Sequence, residues 1–216
     1  MLKRLLPLLL LPIVVIAQTD EKATAILKAV SETHSAYKDI HVTFSYTLEN
    51  KEANIKDTRD GELTLAGSKF HLQLMGQDIY SDGKIVWYVM TEDEEVHIKS
   101  LEEFKSETEL DPANFFSQYD QGFKLKFHGV ETAAGKTVNV VDLFPEVPGK
   151  KPYSRIRMGV DKATNHIVNS KTFGKDGTDY LLEVKSMKTN TGIAPDQFVF
   201  SQSKYEKDGF DVVDFR

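Results

Sequence analysis

The stretch Ile79-Tyr80-Ser81-Asp82-Gly83-Lys84-Ile85-Val86-Trp87-Tyr88-Val89-Met90 decides how the rest of the chain is read. Asp82-Gly83 supplies the positive φ angles of a two-residue hairpin turn, and β-branched and aromatic residues run on into the second arm. Such a turn pairs Ile79 with Val86, so these two and Tyr88 share a face. The second arm is apolar on both faces, with Ile85, Trp87 and Val89 pointing one way and Val86, Tyr88 and Met90 the other. A strand with one solvated face alternates apolar with polar, so both sides of this hairpin must be covered. In a barrel or strongly curved sheet another segment covers the convex face, while the concave face encloses either a packed core or a ligand chamber.

The flanking sequence carries the same period. Ile40, Val42, Phe44, Tyr46 and Leu48 alternate with polar residues over a long strand, and Asn50 to Asp57 reads as a loop. Gly61 to Ala66, carrying Leu63 and Leu65, and Lys69 to Leu74, carrying Phe70, Leu72 and Leu74, form another hairpin about Gly67-Ser68. Val96 to Lys99 continues an antiparallel meander, and five further strands are expected at 123–127, 137–144, 154–160, 167–173 and 180–187. Pro195 to Phe200 reads as a turn into a short strand, with a last edge strand within Phe210 to Phe215. Two helical segments interrupt this pattern. Ala23, Ile26, Leu27, Val30 and Tyr37 recur at helical spacing behind a cap at Thr19 or Asp20. Leu101 to Leu110 is charged and ambiguous, but Asp111-Pro112 opens a short helix bearing Phe115, Phe116 and Tyr119, which is either a connector filling a core gap or a lid.

A length of 216 residues with 40% apolar content suits one domain with a substantial core. Lys3-Arg4 before the apolar run Leu5 to Ile16, closed by Ala17, has the form of a cleaved export signal, so residues 1–17 are expected to be removed and residues 18–216 to form the domain. The alternative, an uncleaved anchor, is disfavoured because the run is shorter than the ~20 residues that span a bilayer. Removing Lys3 and Arg4 takes the formal charge from -6 to -8, which argues against nucleic-acid binding. There is no cysteine, which excludes thiol catalysis, thiolate metal sites and disulfides. The six histidines, at 34, 41, 71, 97, 128 and 166, include no i, i+4 pair; His41, His71 and His97 alternate with apolar neighbours on strands and read as solvated. No phosphate loop or nucleophile elbow occurs, so neither a catalytic set nor a metal or other cofactor is implied.

With these pieces in order, the chain resembles the LolA family of periplasmic outer-membrane lipoprotein carriers. The resemblance rests on the helix ending near Tyr37, Ile40-His-Val-Thr-Phe44, Gly61-Glu-Leu63, Lys69-Phe70, Ser81-Asp-Gly-Lys-Ile-Val-Trp-Tyr88, the Pro112-led helix and Gln197-Phe-Val-Phe200. It implies a mainly β fold with helices, a single unclosed antiparallel β-barrel with an N-terminal helix and a short lid helix over an apolar cavity. It also implies a monomeric, non-enzymatic carrier of acylated lipoproteins, with an inner-membrane release complex and an outer-membrane acceptor as partners. The residues placed at the ligand are Phe44, Tyr46, Leu48, Leu63, Leu65, Phe70, Leu72, Leu74, Ile79, Val86 and Tyr88 as floor and wall, and Phe115 and Phe116 on the lid. Many members have an arginine just after the Gly61-Glu-Leu63 strand, where it takes part in lid closure and lipid binding. This chain has Ala66-Gly-Ser-Lys69, and a lysine cannot make a guanidinium's forked contacts. Other readings are a binding sensor, which would call for a partner-contacting domain, a lipid-acting enzyme without an evident catalytic set, and a barrel with a filled core.

Overall fold

The computed structural model describes residues 20–108, 112–114, 116, 119 and 122–216. The expected export signal at 1–17, the alternative cap Thr19, the expected cap Asp111 and the lid residue Phe115 lie outside these.

Helix α1 (Glu21–Ser35) opens on Asp20, whose Oδ1 accepts from the amides of Lys22 and Ala23 at 2.9 and 3.2 Å. The other oxygen, Oδ2, accepts from the amide of Phe127 at 3.1 Å, so one carboxylate both caps the helix and pins it to a distant strand. Ala23, Leu27, Val30 and His34 form the buried stripe of α1, which then turns into β1 (Ile40–Asn50). There follow β2 (Ile55–Ala66), β3 (Lys69–Leu74), β4 (Gln77–Ser81), β5 (Ile85–Met90) and β6 (Glu95–Ser100), joined as an antiparallel meander. Helix α2 (Leu101–Thr108) and a 3₁₀ turn (Pro112–Asn114) precede a second meander, β7 (Phe123–Ala133), β8 (Lys136–Pro145), β9 (Tyr153–Asp161), β10 (Ile167–Gly174) and β11 (Thr178–Thr189). The tail adds a 3₁₀ turn (Pro195–Phe198), α3 (Gln202–Lys207) and β12 (Asp211–Asp214).

The twelve strands of the described residues belong to one sheet in the order β12-β6-β5-β4-β3-β2-β1-β11-β10-β9-β8-β7. The two meanders meet where β1 pairs with β11, and β12 adds to β6 in parallel. The sheet does not close, because β12 and β7 stand at its two ends. Laid flat it would be roughly 50 Å wide at ~4.8 Å per strand. Instead it curls about the helices: Val86 of β5, Phe44 of β1, Leu143 of β8 and Val30 of α1 belong to one contiguous core. The face towards α1 is the inner face.

The unclosed β fold with an N-terminal helix is thus the one expected, but several local expectations change. Asn50 to Asp57 is not a loop. Four residues, 51–54, make the turn, and β2 starts at Ile55, because β1 offers backbone partners along its whole length, from Ile40 against Leu65 to Asn50 against Ile55. The central hairpin has a longer turn than two residues. Ser81 pairs with Val86, and Ile79 pairs with Tyr88 rather than Val86. Side chains close this turn: Ser81 Oγ accepts from Gly83 N and donates to Ile85 O, while Asp82 Oδ1 accepts from Lys84 N and Ile85 N at 2.8 and 2.9 Å. The register moves by two residues, which preserves strand parity, so Ile79, Val86 and Tyr88 still share a face.

The helix expected from Pro112 is a 3₁₀ turn through Asn114; Phe116 lies in a turn and Tyr119 in a bend. The α-helix of this region is α2, in the charged stretch before it, where docking of Phe104 supplies what eight residues of intrinsic propensity cannot. Val199-Phe200 is not a strand either; it links the 3₁₀ turn to α3, and Phe200 serves as a side-chain contact rather than in a ladder.

Candidate ligand-binding site

The site is built from alternation along neighbouring strands. The registers Val42–Leu63–Leu72–Ile79 and Ile40–Leu65–Phe70 run across four and three strands, so their side chains lie in rows on the inner face. Phe44, Leu63, Leu65, Phe70, Leu72, Ile79, Val86 and Phe116 are all buried in the one core, and Tyr46, Leu74 and Tyr88 are half-buried against it. Leu48, half-buried near the end of β1, lies outside that cluster. Gly61 is what allows Phe44 to lie flat on the sheet: a Cβ on Gly61 would stand 2.5 Å from the Phe44 ring.

The inner face is roofed. α1 lies along it, Phe104 of α2 packs edge-on to Tyr88 with ring centroids 6.3 Å apart, and Phe116 stacks on His34 at 4.5 Å and 2°. A pocket of about 270 Å³ opens at one rim, lined by His34, Tyr37, Ile40, Leu65, Ala113 and Phe116, among others. A wider, open groove of about 580 Å³ reaches Phe44, Gly61 and Leu74. The expected floor residues other than Leu48 are brought together, and their own helices cover them in this state.

His34 and Phe104 belong to this site and were not singled out in the sequence. His34 follows Ala23, Leu27 and Val30 at spacings of four, three and four, which already places it on the docking face. Leu101 and Phe104, three apart, are the only apolar residues of Leu101 to Thr108, a segment dominated by charge. The His34 ring is 5% exposed, and burial pushes its pKa down to about 4. Next to it the Tyr37 hydroxyl bonds His166 Nε2 at 2.8 Å, and burial also lowers the pKa of His166. The three strand histidines sit beside carboxylates: His41 with Glu62 at 3.1 Å, His71 with Asp78 at 2.9 Å and His97 with Glu95 at 2.9 Å. Among the described residues no group of three His, Asp or Glu side chains is arranged to hold a metal ion.

The outer face of the central hairpin is covered as well. Tyr80, Trp87, Val89, Val96 and Ile98 share it, and the tail crosses it: Phe200 stacks on Trp87 at 5.8 Å and on Tyr205 at 5.0 Å. The two-sided apolar strand thus has a roof of helices inside and an aromatic strap outside.

An open antiparallel sheet curled round its own helices, with an apolar inner face that short elements roof, is a fold for holding apolar ligands. Residues 35–201 match the family model described as "Outer membrane lipoprotein carrier protein LolA", and the chain belongs to the LolA family. No curated protein matches it. Among solved structures, an uncharacterized conserved protein from Thermus thermophilus superposes with a TM-score of 0.57 at 12% identity, over 89% of this chain and 99% of that one. The Mycobacterium tuberculosis lipoprotein LppX gives 0.52 at 12% identity, over 81% and 98%. A LolA superfamily protein from Nitrosomonas europaea gives 0.43 at 13%, over 83% and 97%.

Proposed function

We propose that this chain is a periplasmic carrier, exported by a signal cleaved after Ala17, that encloses the acyl chains of lipoproteins between its inner face and its helical roof and moves them from the inner to the outer membrane. The observation that carries the reading is the apolar inner face of β1 to β5, roofed by elements too short to be stable by themselves, in a member of this family. Each acyl methylene withdrawn from water contributes about 0.8 kcal/mol. Several long chains thus amount to tens of kcal/mol, which forbids free diffusion through water and requires enclosure. Conversely, a chain sliding between Phe104 or Phe116 and the floor replaces the contacts those rings lose, so opening and loading offset each other. A release complex at the inner membrane and an acceptor at the outer membrane would supply the direction. Lys69, exposed at the start of β3, closes the stretch in which many members carry the lid arginine and can bring a point charge only. The role is one of binding, not catalysis.

Mass spectrometry of apolar material co-purifying from the native compartment tests this directly, with acylated lipoprotein or acyl lipid as the expected cargo. In vitro, a dye that fluoresces in apolar surroundings should bind saturably and be displaced by long acyl chains. Folded protein that binds neither, even at temperatures that loosen the roof, would return the inner face to an ordinary core.

A further inference from the structure

Helix α1 carries a histidine that its surroundings leave half-satisfied. His34 Nδ1 lies 2.7 Å from the carbonyl oxygen of Val30, one turn back on the same helix. A carbonyl only accepts, so Nδ1 carries the proton and donates. Nε2 on the far edge of the ring is then a bare lone pair, directed away from the helix backbone, and it is buried without a hydrogen-bond partner among the described residues. Leaving a buried acceptor unpaired is costly, and proteins seldom tolerate it without a use. The ring, 5% exposed, lines the rim pocket face to face with Phe116.

Two other polar side chains of that pocket are engaged. The Tyr37 hydroxyl is bonded to His166. The buried Asp39 carboxylate accepts from Thr191 N, Thr191 Oγ1 and Gly192 N at 2.7, 3.0 and 3.0 Å. Ser35 and Lys38 line it as exposed residues, and the remaining wall is Ile40, Leu65, Gly67 and Ala113. A volume of about 270 Å³ is below the ~300–1,000 Å³ of a whole-ligand pocket, so it suits one end of a ligand. Its wall includes the ring of His34, neutral at ordinary pH, whose Nε2 is itself covered in this closed state, so a ligand reaches that acceptor only as the roof gives way.

We propose that the rim pocket is the subsite for the polar end of an acylated ligand, and that it seats a neutral hydroxyl, such as that of an acylglycerol, which donates to His34 Nε2 once the roof has opened and the acyl chain runs inward past Phe116. The assignment rests on the acyl-carrier reading above and names the end group that reading leaves open. An ionised carboxylate would set its lone pairs against that of Nε2, so a fatty acid can enter only by bringing a proton; an ester without a hydroxyl offers no donor.

The test compares monopalmitoylglycerol with methyl palmitate as displacers of an apolar dye. Wild-type protein should prefer the glycerol ester by about fivefold, the size of one neutral hydrogen bond. His34→Phe should abolish that preference while still binding methyl palmitate. Nitrogen NMR of labelled histidine gives an independent readout on the unaltered protein: His34 should show a protonated Nδ1 and a bare Nε2, whose resonance moves on adding monopalmitoylglycerol and stays with methyl palmitate. Equal affinities together with an unmoved Nε2 overturn the subsite and leave the carrier reading standing. Preferred binding of palmitate with uptake of a proton reassigns the end group to a fatty acid and overturns the hydroxyl. Failure of every acyl probe to bind sinks the carrier reading, and this proposal with it.

Discussion

Burial holds the His34 imidazole neutral down to about pH 4, whereas in the unfolded chain it takes up its proton near the ordinary 6.5. Between those values the unfolded state binds more protons than the folded one, so stability rises with pH across this window. His34's contribution is fully present above about pH 6.5 and is lost as the pH falls towards 4, by about 3 kcal/mol in all. His166 opposite it shifts the same way, through burial and then Lys136, with Asp161 opposing. Denaturant midpoints measured from pH 7 to 4 should therefore fall, and His34→Phe should flatten the slope. A second single-residue constraint is at Gly61, where any Cβ collides with the Phe44 ring. Gly61→Ala should cost about 1 to 3 kcal/mol as the ring is driven off the sheet, against the near-neutral effect expected of a strand glycine with free space. A midpoint unchanged by that substitution would mean that Phe44 has room to swing into the adjoining groove.

At the scale of elements, the outer strap shows how a short hydrophobic tail is held. Phe200, half-buried between Trp87 and Tyr205, belongs to no ladder, so its contribution is packing alone. Phe200→Ala should destabilise by about 2 kcal/mol, less than a fully buried phenylalanine. The chain has one tryptophan, which makes Trp87 emission a local reporter. We expect its maximum to shift to the red in this variant as water reaches the indole, with far-UV circular dichroism unchanged. An unshifted maximum would place the Trp87 cover elsewhere. The hairpin beneath it shows the same dependence on local chemistry: Asp82-Gly83 correctly announces a reversal, but Ser81 and Asp82 side chains capture four backbone contacts and lengthen the turn.

For the whole molecule, the sheet's order predicts a gradient of protection. β1 is paired along its full length on both sides, to β2 and to β11, whereas β12 and β7 each leave one edge without a strand partner among the described residues. Native-state hydrogen exchange should be slowest in β1 and its neighbours and fastest at β12 and the free side of β7. The proposed carrier role requires the roof to loosen while this frame persists, so amides of α2 should exchange well before those of β1. Simultaneous exchange of both would mean a single cooperative unit without a separable lid.

Most of the fold was legible because it rests on local rules. Period-two alternation from Ile40 to Leu48 is written in the sequence, and burial follows it from Ile40 to Phe44, since a strand that buries one face has no other register available; beyond Phe44 it breaks, with Thr47 buried and Leu48 outside the core. The two-sided apolar run Ile85 to Met90 likewise dictated that something lies on each side of it. What covers each side was decided only in three dimensions, since α2, His34 and Phe200 act through partners far from them in the chain. The charged stretch Leu101 to Thr108 is helical because Phe104 finds Tyr88, and no helix-periodic signal of eight residues can announce that contact. The burial of His34 belongs to the same class: spacing places it on the docking face of α1, but only the tertiary structure stacks Phe116 on its ring and leaves its Nε2 without a hydrogen-bond partner among the described residues, because what stacks on it comes from elsewhere in the chain.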